Sequence, residues 1–200
     1  MIVKGNKITM QTTSVPQSIS PEPELKNVAP VLRLTGAISF WVQLGLAAVC
    51  VLTLLFAITG RNFSGETGQS VGIGIFWAIG SLLALVFNIY GAFRCTRIGK
   101  RLLTLSPELS PKKEDIIRLL RVGLIVSLFG ILLSLLGAGV SVGVLVAKIV
   151  SQPAGMSITD PNRVIQGLDV FSTVANVNGI AAHFVGTISS LWLLDQVHHH

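Results

Sequence analysis

Asp169, Asn176, His183 and Ser190 recur every seven residues within one apolar stretch near the C-terminus. Seven residues turn an α-helix by about 700°, within about 20° of two full turns, so a helix here carries all four on nearly one face. Ser172, Thr173 and Thr187 widen the same stripe. From Asp169 to His183 the rise is about 21 Å, roughly two thirds of a hydrocarbon core about 30 Å thick. An ionisable group at such depth costs on the order of 3 kcal/mol even on the lenient insertion scale, so it faces a bundle interior or a water-filled path. Imidazole binds a divalent transition metal or passes a proton, and the Asp169 carboxylate is a hard ligand suited to iron or magnesium. Asp169 and His183 are therefore the candidate metal-contacting residues, with Asn176 on the same stripe and Gln43 and Asn88 as oxygen ligands from other stretches. A hydrogen-bonding role between helices competes for the same residues, and no pair among them has sequence-local ligand spacing.

Such a stripe needs a membrane helix to carry it. Of the 200 residues 50% are apolar and only 12% charged, with a mean hydropathy of +0.71. That is about half the charged fraction of a soluble domain, and it excludes a soluble globular protein, a disordered chain and a coiled coil. Residues 36–60, 67–93 and 122–147 carry no charge, and 170–194 carry only His183. Each run exceeds the length of about 20 residues that a membrane helix needs, and none shows the alternation of a barrel strand. The expected fold is all-α, an integral membrane bundle of four transmembrane helices spanning about 36–60, 70–95, 119–148 and 164–195. A membrane domain over 36–197 would follow a flexible polar tail over 1–35, in which Pro16, Pro21, Pro23 and Pro30 oppose any long helix. That tail has no apolar core of a secretory signal.

The formal charge is +6. With one Tyr and no aromatic-rich basic motif, nucleic acid is not an expected partner. The tail holds Lys4, Lys7, Lys26 and Arg33, and the connection around the basic inner loop 96–118 holds Arg94, Arg97, Lys100, Arg101, Lys112, Lys113, Arg118 and Arg121. Twelve of the fifteen positive residues thus fall on one side, which predicts that both termini face the cytoplasm or stroma. Ser110-Pro111 is a plausible helix start with Glu114 and Asp115 in the first turn, and the basic collar is suited to anionic headgroups in the lipid bilayer.

Close helix packing in lipid depends on small residues. Gly130, Ser134 and Ala138 form one column at four-residue spacing, Gly139, Gly143 and Ala147 a second, and Gly80, Ala84 and Asn88 a third. They predict packing within the chain or contacts in a homo-oligomer or with membrane-complex partners. Phosphate loops, zinc motifs and nucleophile elbows are missing, so the expectation is a protein that is not an enzyme and holds no cofactor structurally. Cys50 and Cys95 imply no disulfide framework. His198 to His200 are read as a polar end or tag remnant.

Several longer strings are distinctive. They are Phe40-Trp41-Val42-Gln43-Leu44, Leu135-Leu136-Gly137 with Val142-Gly143-Val144-Leu145-Val146-Ala147-Lys148, Leu168-Asp169-Val170-Phe171, and Ala182-His183-Phe184-Val185-Gly186, with Arg97 and Arg101-Leu102 between. Over residues 36–197 the chain resembles the chloroplast inner-envelope permease and import-translocon family and its cyanobacterial relatives. The resemblance implies four membrane helices and an inner-envelope or cyanobacterial membrane. It also implies either an iron permease, with iron as substrate, or a component of protein import. Without the long transit peptide of plant members, the chain is expected to be most like the cyanobacterial ones, in the plasma or thylakoid membrane.

Overall fold

A computed structural model describes residues 23–64, 69–104, 112–150 and 167–199. These form α1 (Pro23–Ser64), α2 (Gln69–Thr104), α3 (Lys113–Val150) and α4 (Gly167–His199), with no strand among the described residues. All four are long and apolar enough to cross a membrane. The chain is a multi-pass membrane protein. Only 28–33% of each spanning window is buried, and Trp41, Phe76, Leu83 and Ile125 stand outward at 60% exposure or more. In lipid such a surface carries no hydrophobic penalty, so the bundle is held by inward polar contacts and by close backbone approach.

Each helix packs on its two neighbours, α1 on α2 and α4, α3 on α2 and α4, and α2 also meets α4 across the middle. Four antiparallel crossings put the start of α1, the end of α2, the start of α3 and the end of α4 at one end. There Val28, Ala29, Leu32, Cys95, Leu102, Ile116, Leu120, Leu193 and Val197 form one apolar cluster. This is the end that carries the basic residues, and it is called the basic end below. The far end is closed by Leu54, Ile75, Ala78 and Ala175.

The helices differ from the expected spans at this basic end. Residues 23–35, expected as flexible tail, are the first turns of α1. Pro23 at the first position lacks only an N–H that would have no partner there. Pro30 forfeits one backbone bond, yet Val28, Ala29 and Leu32 around it are buried against the other three helices, and that burial carries the helix through. Likewise α2 runs to Thr104 and α3 starts at Lys113, so most of the expected loop 96–118 is helix. The extension is amphipathic: Arg94, Arg97, Lys100 and Arg101 are exposed while Cys95, Gly99 and Leu102 face inward. Arg97 lies over the Phe93 ring at 5.0 Å. Asp115 N–H and Ile116 N–H donate to the Lys112 carbonyl at 3.1 and 3.4 Å, so Lys112 opens α3, with Glu114 and Asp115 in the first turn as expected. Ser110, Pro111, residues 1–22 and the start of the fourth expected span at 164 lie outside the described residues.

Two backbones nearly touch here. A Cβ on Gly99 would lie 2.8 Å from Arg33 N and 2.9 Å from Ala29 O. Gly99→Ala must therefore push α1 off α2, and is expected to cost about 1–3 kcal/mol. Thermal unfolding of the purified protein in detergent checks this, since an unchanged Tm would contradict the close approach.

Candidate functional site: a buried polar axis

The inward faces of all four helices are polar along the bundle axis. Gly74, Ser81, Asn88 and Cys95 of α2 recur every seven residues and are all buried. In α3 the buried positions Ser127, Gly130, Ser134, Gly137 and Ser141 alternate by three and four residues, which keeps one face inward. On α4, Ser172, Asn176, Gly179, His183 and Gly186 are buried, and α1 adds Ser39 and Gln43.

His183 sits at the centre with 0% exposure. Asn88 Nδ2 donates to its Nδ1 at 3.1 Å and to Ser127 Oγ at 2.9 Å. With Nδ1 accepting, Nε2 carries the proton and donates to the Ser81 carbonyl at 3.1 Å, with Ser81 Oγ 3.2 Å away. Ser81 Oγ and Ser134 Oγ share a hydrogen bond of 2.5 Å. The ring is thus a neutral tautomer held by α2 at both nitrogens. A metal ion gains a ring nitrogen only by displacing Asn88 or Ser81.

Most of these polar side chains are seated against a glycine of another helix. A Cβ on Gly130 would lie 2.5 Å or less from three atoms of the His183 ring, and one on Gly137 would strike the Asn176 amide. A Cβ on Gly179 would lie 2.7 Å from Ser134 Oγ, and one on Gly186 would lie 2.7 Å from both Gln43 Nε2 and Ser127 Oγ. Toward the far end, Ser141 and Ser172 hydroxyls bond at 3.1 Å and Asn176 Nδ2 donates to the Ser172 carbonyl at 3.0 Å. Gln43 Nε2 donates to Ser39 Oγ at 3.2 Å. Among the described residues two buried side-chain oxygens have no hydrogen-bond partner, Gln43 Oε1 and Asn176 Oδ1. An unpaired buried acceptor costs about 1–3 kcal/mol. Between His183 and the basic end lies a cavity of about 40 Å³ to which all four helices contribute, Gln43, Asn88, Ser127 and Ser190 among them.

The structure thus brings Gln43, Asn88, Asn176 and His183 to one axis, with Ser190 on the cavity wall. Asp169 lies in the first turn of α4 and its side chain is outside the described residues. Fourteen residues of continuous helix separate it from His183 by about 21 Å of rise, as the sequence spacing implies, so the two residues stand at different depths of α4. Among the described residues no three His, Cys, Asp or Glu side chains stand close enough to hold a metal. Gly130 and Ser134 face inward, but Ala138 is only half-buried, because strict four-residue steps drift about 40° each around the helix. Gly139 and Gly143 face out of the bundle, and a Cβ on either meets nothing within 4 Å, so they pack on no helix of this chain. Arg94, Arg97, Lys100, Arg101 and Lys112 are exposed and Lys113 is half-buried at the basic end.

Sequence reasoning passed over Ser39, Ser81, Ser127 and Ser141 and the glycines Gly137, Gly179 and Gly186. The heptads in α2 and the alternating three and four spacing in α3 were the available signals. Ser81 and Ser134 give a direct test of the axis. The Ser81→Ala and Ser134→Ala pair is expected to show a coupling of about 1 kcal/mol in a double-mutant cycle of unfolding, and purely additive losses would contradict the bond.

The model of the family described as "Protein of unknown function (DUF3611)" matches residues 22–198. The chain belongs to this family. The DUF3611 match takes in every helix of the bundle, and with it the whole polar axis. Protein TIC 21, chloroplastic, of Arabidopsis thaliana is 30% identical over 179 residues, which cover 86% of this chain and 58% of that protein. The chain therefore spans less than two thirds of that relative's length. No solved structure matches the chain.

Proposed function

We propose that the protein is a membrane permease that takes part in iron transport and homeostasis, with the polar axis as its route. One observation carries the reading. Among the buried side-chain atoms of the described residues, Gln43 Oε1 and Asn176 Oδ1 are left without partners, while the His183 ring between them is bonded at both nitrogens. Polar residues that served only to glue helices would be satisfied by one another, whereas free carbonyl oxygens are hard ligands of the kind iron accepts. The axis is closed in this conformation, and each gate is small: a seated side chain opposite a glycine. Iron is the cargo and no cofactor is invoked. The family resemblance and the TIC 21 relative support a membrane of the chloroplast inner-envelope or cyanobacterial kind, with the basic end toward the stroma or cytoplasm. The test is iron uptake into liposomes holding the purified full chain, compared with a variant carrying both Asp169→Asn and His183→Leu. The reading expects uptake by the parent and its loss in the variant, and equal uptake by the two refutes it.

A second reading has its own observation. The outward Gly139 and Gly143 leave open space on α3 at lipid depth, a surface that lets another helix approach closely. It suits a structural or assembly subunit of a membrane complex, such as a protein-import translocon component, or a homo-oligomer. Under this reading Gly139→Leu with Gly143→Leu dissociates a detergent-stable complex, whereas a parent that migrates as a monomer argues against it.

A further inference from the structure

The cavity near the basic end has a composition of its own. Its polar lining comes from Ser39, Gln43, Asn88, Ser127, Ser189 and Ser190, and no charged side chain borders it. Gln43 is 1% exposed, and its Nε2 donates one hydrogen to Ser39 Oγ while its Oε1 has no partner. The unpaired group is an acceptor only, so whatever satisfies it must bring positive charge or a donated hydrogen, and an anion does neither. Asn88 strengthens that sign, because Ser127 and His183 already take its amide hydrogens. A volume of about 40 Å³ admits one small ion with a water or two, a water needing about 10–15 Å³.

Charge then selects among cations. The cost of moving an ion from water into a low-dielectric interior rises with the square of its charge, so a divalent ion pays about fourfold more than a monovalent one. With no carboxylate on the lining, nothing offsets that difference. Neutral carbonyl and hydroxyl oxygens replace the hydration shell of alkali cations in channels and transporters for the same reason. We infer that this cavity is a binding site for a small monovalent cation of the sodium class, with Gln43 Oε1 as its principal ligand and the serine hydroxyls completing the shell. The site shares Gln43 Oε1 with the proposed iron route and describes the resting, iron-free protein, so its occupancy is measured with iron absent.

The experiment follows the thermal unfolding of the full chain in detergent, freed of alkali ions, as sodium chloride replaces N-methylglucamine chloride at constant ionic strength. The parent is expected to gain Tm saturably with sodium, and Gln43→Met, of similar volume, to lose the saturable part. Gln43→Glu supplies a carboxylate and is expected to lower the half-saturating sodium concentration at least about tenfold. Binding of radioactive sodium by the same three proteins must follow the same order. Equal Tm in both salts, which is the outcome for a cavity holding water only, overturns the inference, as does an unchanged sodium response in Gln43→Met. If Gln43→Met does not fold, Gln43→Glu decides alone, and a half-saturation equal to that of the parent overturns the site.

Discussion

Gly130→Ala is expected to lower stability by about 3 kcal/mol or more, the largest loss from a single methyl group anywhere in the bundle. The added Cβ would occupy space filled by the His183 ring. The ring cannot swing aside cheaply, because Asn88 and Ser81 hold its two nitrogens and both bonds would be lost. Either α3 moves away from α4, and the Ser81–Ser134 bond of 2.5 Å is stretched with it, or the ring leaves both of its bonds. Gly139→Ala is the control on the same helix. Its Cβ meets nothing within 4 Å, so only the backbone propensity changes, and a gain of up to about 1 kcal/mol is expected. Unfolding of the two variants in detergent should differ in sign, and equal behaviour would mean that the inward face of α3 has been misassigned.

His183→Leu is expected to cost about 2–3 kcal/mol even though leucine nearly fills the same volume. Hydrogen bonds between membrane helices net only about 0.6–1.7 kcal/mol each, so losing the Asn88 and Ser81 contacts accounts for about 2 kcal/mol. Stranding one Asn88 amide hydrogen in a dry interior adds the rest. His183→Gln retains a donor and an acceptor and should recover about 1 kcal/mol of the loss. A measurement in which leucine equals or exceeds the parent in Tm would show that the ring contributes no net bonding. The two predictions are not additive, because both act on one contact, and the Gly130→Ala, His183→Leu double variant should lose less than the sum.

The four spans were legible from composition because length and freedom from charge are themselves the requirement for crossing a bilayer. The inward direction of Asn176 and His183 was legible as well, since a heptad of polar residues on an apolar helix has one place to face. The helical character of residues 23–35 was hidden. Pro30 is a strong local signal, and what overrides it is burial of Val28, Ala29 and Leu32 against residues from three other helices, about 65 to 170 positions away in sequence. The end of α2 was hidden by its charges, which mark a loop in a count of Lys and Arg but lie on one side of a continuing helix. In α3 the conspicuous repeat is of small residues at intervals of four, whereas the true inward face steps by three and four. A lone serine carries little signal: Ser81 and Ser127 look unremarkable one at a time, and acquire a role only beside the imidazole and amide that other helices bring to them.

The central claim is that the polar axis inside one bundle, and not the outer face of α3, is the route. The most direct measurement is the initial rate of iron uptake per reconstituted protein for three forms: the parent, Asn88→Leu, and the Gly139→Leu, Gly143→Leu pair. Asn88 joins Ser127 to His183 and borders the cavity, whereas the two glycines touch no helix of this chain. The account predicts uptake by the parent, a fall of at least about tenfold in Asn88→Leu, and an unchanged rate in the glycine pair. A rate that survives Asn88→Leu and is lost in the glycine pair would contradict it.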